Sequence, residues 1–256
     1  MTGDEILDAM EYIDAELIEQ ADAKSNGKHI RIYRYFVIAA IVASLVCLGI
    51  GVTATTEAEQ NIFFQAGQFL KDFFSKQNAP DADAPTVYAK YGDIIITADW
   101  VDYNRKMNIL RGDAAAEKHK TDFDIVNRII ENEILFEEAK RRGLSATEEE
   151  INAMVNGAIG AYSLPEGKEM IDAYLKGAGI TFEEYLAMLR EQAPRTIARQ
   201  KLKDAIGREY CEAHGLEFTK MNPPAEMVAA QEAFIQKLFE ENKHKIEYYI
   251  EIPEEE

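Results

Sequence analysis

Cysteine is nearly missing from this 256-residue chain: the two present, Cys47 and Cys211, sit far apart, so no disulfide framework holds the fold. Histidine is sparse as well. His29, His119, His214 and His244 are scattered among charged residues, and none shows metal-ligand spacing with a carboxylate. The sequence also lacks a phosphate-cradling glycine loop, a nucleophile elbow and a dinucleotide fingerprint. Cys211 and His214 lie three apart, a spacing that can share a helix face, but a half-buried cysteine near a helix end is the plainer reading. The acids at Glu148–Glu150 and Glu183–Glu184 belong to helix starts, where they favour the macrodipole. No catalytic residue, cofactor or metal is therefore expected.

Positive charge is in deficit too. There are 46 acidic residues against 28 Lys and Arg, a net charge of −18, which argues against a nucleic-acid partner for the protein as a whole. The deficit runs the length of the chain, −4 up to Arg34 and −14 beyond it.

Charge of either sign is absent between Arg34 and Glu57. The 22 residues from Tyr35 to Thr56 would reach roughly 33 Å as a helix, about one bilayer hydrocarbon core. This stretch reads as a transmembrane helix, with a helix buried in a soluble core as the alternative. Lys24, Lys28, Arg31 and Arg34 precede it, and Glu57 and Glu59 follow. The positive-inside rule then puts residues 1–34 in the cytoplasm and everything past residue 56 outside. A cleaved signal peptide is the competing reading, since Val52-Thr53-Ala54 faintly resembles a cleavage site. The long acidic leader and long apolar run favour an uncleaved anchor.

Within the tail, Ile6, Leu7, Met10, Ile13, Leu17 and Ile18 recur at helical spacing with acids on the other faces. The acidic helix, basic knot and span resemble the cytoplasmic tails of clostridial-type membrane proteins, some of them anti-sigma-like. The helix offers a face on which a cytosolic partner could dock; a solvated, membrane-proximal helix with no partner is the plainer reading.

Beyond the span, residues 57–76 carry Ile62, Phe63, Phe64, Phe69, Leu70, Phe73 and Phe74 near one helical face. This predicts a juxtamembrane amphipathic helix in the outer lipid interface, or else one packed on the distal domain. Residues 77–85 read as a linker stiffened by Pro80 and Pro85, with a domain boundary near Pro85.

Residues 86–256 are expected to form one helical domain. Thr86–Tyr91 and Ile94–Ile96 read as short strands about a Gly92-Asp93 turn, with Thr97 capping a helix. A helix over Phe123–Arg142 ends at Gly143. Thr147 with Glu150, and Thr181 with Glu184, are capping boxes that open two further helices. Between them Tyr162–Pro165 breaks the pattern, and a helix over Glu166–Lys176 stops at Gly177. The helix from Thr181 runs past Leu202 and contains Pro194. A last helix covers Pro224–Asn242.

Three segments carry a resemblance: Tyr91–Thr97, Gly143–Ile151 and Gly179–Tyr185, closed by Lys243–Ile250. Their order and spacing over Thr86–Pro253 resemble the N-terminal chaperone domain of SurA/PrsA-type foldases, which is related in helical architecture to the substrate-binding part of trigger factor. Many members insert a parvulin-type isomerase before the final helix. Here only residues 208–224 separate the last two helices, too few for one.

The uncharged stretch and the resemblance together give a mostly α fold: a single transmembrane helix, then a multi-helix SurA-N-like domain with a small β element from strands near 86–97 and 245–252. The resemblance also implies binding of unfolded or exported polypeptides without isomerase catalysis. Adaptable apolar side chains suit that role, and the candidates are Met107, Leu110, Met154, Tyr162, Leu164, Met170, Tyr174, Tyr185 and Met188. Ordinary helical core is the plainer reading for each. A transmembrane signalling or scaffolding protein with one dedicated partner is the second functional reading. A broad apolar groove would favour the chaperone, and a small charged pocket the dedicated partner.

Overall fold

The computed structural model describes residues 57–78, 85–110, 119–220 and 223–251. The expected acidic tail at 1–34, the expected span at 35–56, most of the linker and the end of the closing segment lie outside them. Among the described residues no helix is long and apolar enough to cross a membrane.

The described chain is mostly helical, with a small antiparallel sheet. In order it forms α1 (Glu57–Asn78), β1 (Val87–Tyr91), β2 (Ile94–Thr97), α2 (Ala98–Leu110), α3 (Asp122–Arg141), α4 (Glu148–Ser163) and α5 (Pro165–Ala178). Then come α6 (Phe182–His214), α7 (Ala225–Asn242), a 3-10 turn at Lys243–Lys245, and β3 (Ile246–Tyr248). Two compact units result. The first joins α1 up to Asp72 with Ala146–Thr196; the second joins Phe73–Ser145 with the chain from Ile197 onward. The division falls inside α6, just past Pro194, which supplies no N–H to the helix.

In the first unit α1 is a packed element. Phe63, Ala66 and Leu70 are buried on it, so the expected lipid-interface helix is instead the alternative one, packed on protein. The reason is a close helix crossing. A Cβ built at Gly67 would overlap the Tyr174 carbonyl, and one at Gly177 would overlap the Phe64 carbonyl and come within 3.0 Å of the Gln68 nitrogen. α1 and α5 therefore meet backbone to backbone, which only glycine permits. Two sequence expectations change as a result. The boundary near Pro85 is not where the compact units divide: α1 up to Asp72 belongs with residues 146–196, and its last turns from Phe73 belong with the second unit. Gly177 does not stop α5 but is buried inside it; the left-handed cap is Gly179, φ 68°. Both expected capping boxes form. Thr147 Oγ1 accepts from Glu150 N at 3.2 Å and Thr181 Oγ1 from Glu184 N at 3.2 Å, and each glutamate accepts from its threonine N–H at 2.8 Å.

In the second unit the sheet order is β2-β1-β3. β1 pairs with β2 across the Gly92 turn and with β3 from the far end of the chain, Lys90 standing opposite both Ile95 and Glu247. One sheet face supplies Ala89, Tyr91 and Ile96 to a core completed by Val101 and by Ile125, Val126, Ile129, Ile130 and Ile134 of α3. That α3 stripe at helical spacing faces the sheet. A second cluster joins Leu135 and Ala139 of α3 to Ala198, Leu202 and Ile206 of α6, with Phe234, Ile235 and Leu238 of α7 against it. Thr121 and Asp124 form a third capping box, at 3.1 Å and 2.9 Å, not anticipated from the sequence.

Gly177→Ala should lower the urea midpoint by an amount worth at least about 1–3 kcal/mol, because the added methyl meets backbone. Gly157→Ala, where a Cβ meets nothing within 4 Å, should raise stability by about 0.5–1 kcal/mol through helix propensity. Equal effects would count against the crossing. A chain starting at Pro85 lacks α1 and should melt below the full chain.

Candidate functional site

The nine candidate peptide-binding residues are divided between the two units. Met107 and Leu110 lie on α2 in the second unit, and the other seven lie in the first. Met107, Tyr174 and Tyr185 are each 1% exposed and form core. Leu110, Met154, Tyr162, Met170 and Met188 are half-buried. Leu164, at the joint between α4 and α5, is the exposed member at 39%.

Three of the nine do meet. Tyr174 contacts Tyr185 edge-on at 6.1 Å, Tyr185 lies 6.0 Å from Phe182, and Phe182 stacks on Tyr162 at 4.0 Å. This places the end of α4, the second half of α5 and the start of α6 around one aromatic row. Lys168 Nζ sits 4.6 Å above the Tyr162 ring, donates to its hydroxyl at 3.0 Å and to Asp172 at 2.6 Å, while the Tyr162 hydroxyl donates to Asp172 at 2.8 Å. The Lys168 ammonium holds the Asp172 carboxyl below its ordinary value, and Asp172 in turn raises Lys168. At the other end of the pair, Arg190 on α6 donates to Asn152 on α4 at 2.8 Å. These contacts fix Tyr162 in place, so the row is a rigid feature with one solvated flank.

A different place in the second unit has the form of a binding cleft. It has a volume of about 420 Å³ and lies between the last turn of α3 and one face of α7. Glu138, with a side chain only 8% exposed, is its electrostatic centre. Arg141 donates to it through Nε at 2.5 Å and Nη2 at 2.6 Å, and Arg142 through Nε at 2.8 Å. These bonds, Arg141's first, hold the Glu138 carboxyl down to about 2 against the burial that would push it up. Arg142 also reaches Glu209 at 3.2 Å and lies 5.0 Å from the centre of the Phe234 ring. Phe234 and Leu238 are its apolar lining, and Lys237 and Glu241, 3.9 Å apart, line it as well.

Sequence reading did not single out this cleft. Glu138 with Arg141 and Arg142 at i+3 and i+4 is a legible ion-pair pattern on one helix. Phe234 and Lys237 come from an element more than ninety residues later, and no local signal couples the two.

Elsewhere the chemistry is sparse. Among the described residues no group of His, Cys, Asp and Glu could hold a metal ion. Cys211 is buried rather than half-buried, with Sγ 3.9 Å from the Glu217 carbonyl, and His214 turns its Nδ1 to the Tyr210 carbonyl at 2.8 Å. Near the sheet, the Tyr91 hydroxyl donates to Glu137 at 2.7 Å and the Tyr248 hydroxyl to Asn127 at 2.6 Å. Burial, with the Glu240 charge, pushes Tyr248 up to about 12. The chain matches no protein-family model, no curated protein and no solved structure.

A depressed glutamate stabilises the fold above its unfolded value, and that stability fades as pH falls through the folded one. Wild type should therefore lose the Glu138 contribution between its ordinary value of 4.5 and about 2. In Glu138→Gln that component is absent, so the stability gap between the two proteins should narrow across this window. Urea melts at stepped pH read the gap; a constant gap would mean that Glu138 is not so held.

Proposed function

We propose that the chain is a membrane-anchored extracytoplasmic chaperone of the SurA/PrsA N-terminal type, which holds unfolded or exported polypeptides and carries no proline isomerase. The observation that carries this reading is the closure of the sheet. β3 returns from the far end of the chain to pair with β1, Ala89 opposite Tyr248 and Tyr91 opposite Ile246. The elements between follow the order that the family resemblance implies. α6 and α7 are joined by residues 215–224 alone, which leaves no space for a catalytic insert. The uncharged stretch from Tyr35 to Thr56, with its basic flank at Lys24–Arg34, supports an anchor with the tail in the cytoplasm and the domain outside. The bacterial cell membrane is the proposed location, and the lipid bilayer a partner through that stretch.

A dedicated-partner protein is the second reading, and two observations favour it. Met107, Tyr174 and Tyr185 are packed inside and unavailable to clients, and the cleft at Glu138 is walled by charge. On that reading the protein signals or scaffolds, with the acidic tail contacting a cytosolic regulator.

The full chain in lipid nanodiscs, with empty nanodiscs as the blank, tests the choice. Suppressed aggregation of several unrelated unfolded proteins, with no acceleration of proline isomerisation, is the expected result. Protection of none would end the chaperone reading and make the tail the next bait for a partner.

A further inference from the structure

The cleft at the end of α3 holds a cation that the protein has already positioned. Glu138 occupies two donors of Arg141, at 2.5 Å and 2.6 Å, which fixes the plane of the guanidinium. Its outer N–H edge makes no hydrogen bond among the described residues, and the side chain is 71% exposed. Arg142 is spent on Glu138, Glu209 and the Phe234 ring, so it forms wall rather than donor. Lys237, also in the lining, is 75% exposed and lies 3.9 Å from Glu241. Phe234 and Leu238 line the same cleft. The lining sets three cations, Arg141, Arg142 and Lys237, against two carboxylates, Glu138 and Glu241, so in a chain of net charge −18 it is a locally positive place beside apolar side chains, complementary to an acid carrying a large apolar group.

We propose that this cleft binds an acidic segment of a partner polypeptide. A large apolar side chain of that segment rests on Phe234 and Leu238, and a neighbouring carboxylate takes the outer edge of Arg141, with Lys237 as second counter-charge. An inorganic anion would leave the apolar lining unused, and nucleic acid, a continuous polyanion, would meet the acidic remainder of the protein along its length, whereas a short segment brings only a few carboxylates to the cleft. The pre-fixed guanidinium lowers the ordering cost of the contact, because Glu138 has already restricted its rotamers. This site is independent of the holdase reading: a holdase takes chains of any sequence, whereas this cleft selects for acid beside apolar bulk.

Fluorescence anisotropy with the full chain in nanodiscs tests the site. The probes are a fluorescein-labelled acidic peptide, GSELEFESG, and its lysine twin, GSKLKFKSG. The acidic peptide should bind saturably and the twin should not. Arg141→Ala and Lys237→Glu should each weaken binding about tenfold or more, the size of one charge-assisted contact. Lys237 is mostly exposed and holds no buried group, so Lys237→Glu should keep the fold, whereas Arg141→Ala also strips the buried Glu138 of its main partner; urea midpoints are therefore read beside binding, and a loss in Lys237→Glu at an unchanged midpoint carries the test. Lys176→Ala, on the exposed side of α5, removes the same charge elsewhere and should change nothing. Binding should also weaken with added salt. Equal binding of the two peptides, absence of saturable binding, or an equal loss in Lys176→Ala would each overturn the proposal. Aggregation assays read client holding separately, so failure of either idea leaves the other standing.

Discussion

Two helices a hundred residues apart approach closely enough at Gly67 and Gly177 that neither position has space for a methyl group. That contact decides what α1 is. A helix of seven apolar positions following an uncharged stretch could have lain on lipid, and its hydrophobic pattern alone does not choose between lipid and protein. Backbone contact chooses, because a bilayer surface imposes no requirement for glycine at one point on a helix, whereas a facing carbonyl does. With α1 seated against α5, the aromatic row from Tyr174 to Tyr162 gains a fixed frame, and Lys168 and Asp172 lock its outer end.

In the second unit the corresponding constraint is β1, the strand that both neighbours need. β2 reaches it through a two-residue turn, at little entropic cost. β3 reaches it only after the rest of the domain has been laid down, and its three residues pair with Ala89, Lys90 and Tyr91. The same α3 that covers this sheet with its isoleucines carries Glu138, Arg141 and Arg142 in its last turn. Sheet core and charged cleft are thus two ends of one helix. The helix C-terminus favours cations by its dipole, and the buried carboxylate holds them in place.

Features encoded within about four residues were legible in the sequence. Thr147 with Glu150, Thr181 with Glu184 and the Gly92-Asp93 turn state their geometry locally, and each forms. Gly143 likewise follows the end of α3 with φ 72°. What depended on distant partners was not legible. Gly177 and Gly179 are equivalent as text; only the carbonyl of Phe64 tells which is a contact and which is a cap. Tyr174 and Tyr185 look like adaptable surface aromatics until their neighbours bury them. Phe234 and Lys237 mean nothing for binding until α7 is laid beside α3. Sequence periodicity tells which side of a helix is apolar, but not what covers it.

The Gly67–Gly177 crossing also sets an order of events during synthesis. The chain is made from its N-terminus, so α1 emerges with Phe63 and Leu70 well before α5 exists to cover them. At about 5–20 residues per second, the interval between making Gly67 and making Gly177 lasts on the order of ten seconds. Throughout it, a phenylalanine-rich helix has no native partner, and the last strand of the second unit is still unmade. The nascent protein thus spends its first seconds as the kind of exposed apolar polypeptide that it is proposed to protect.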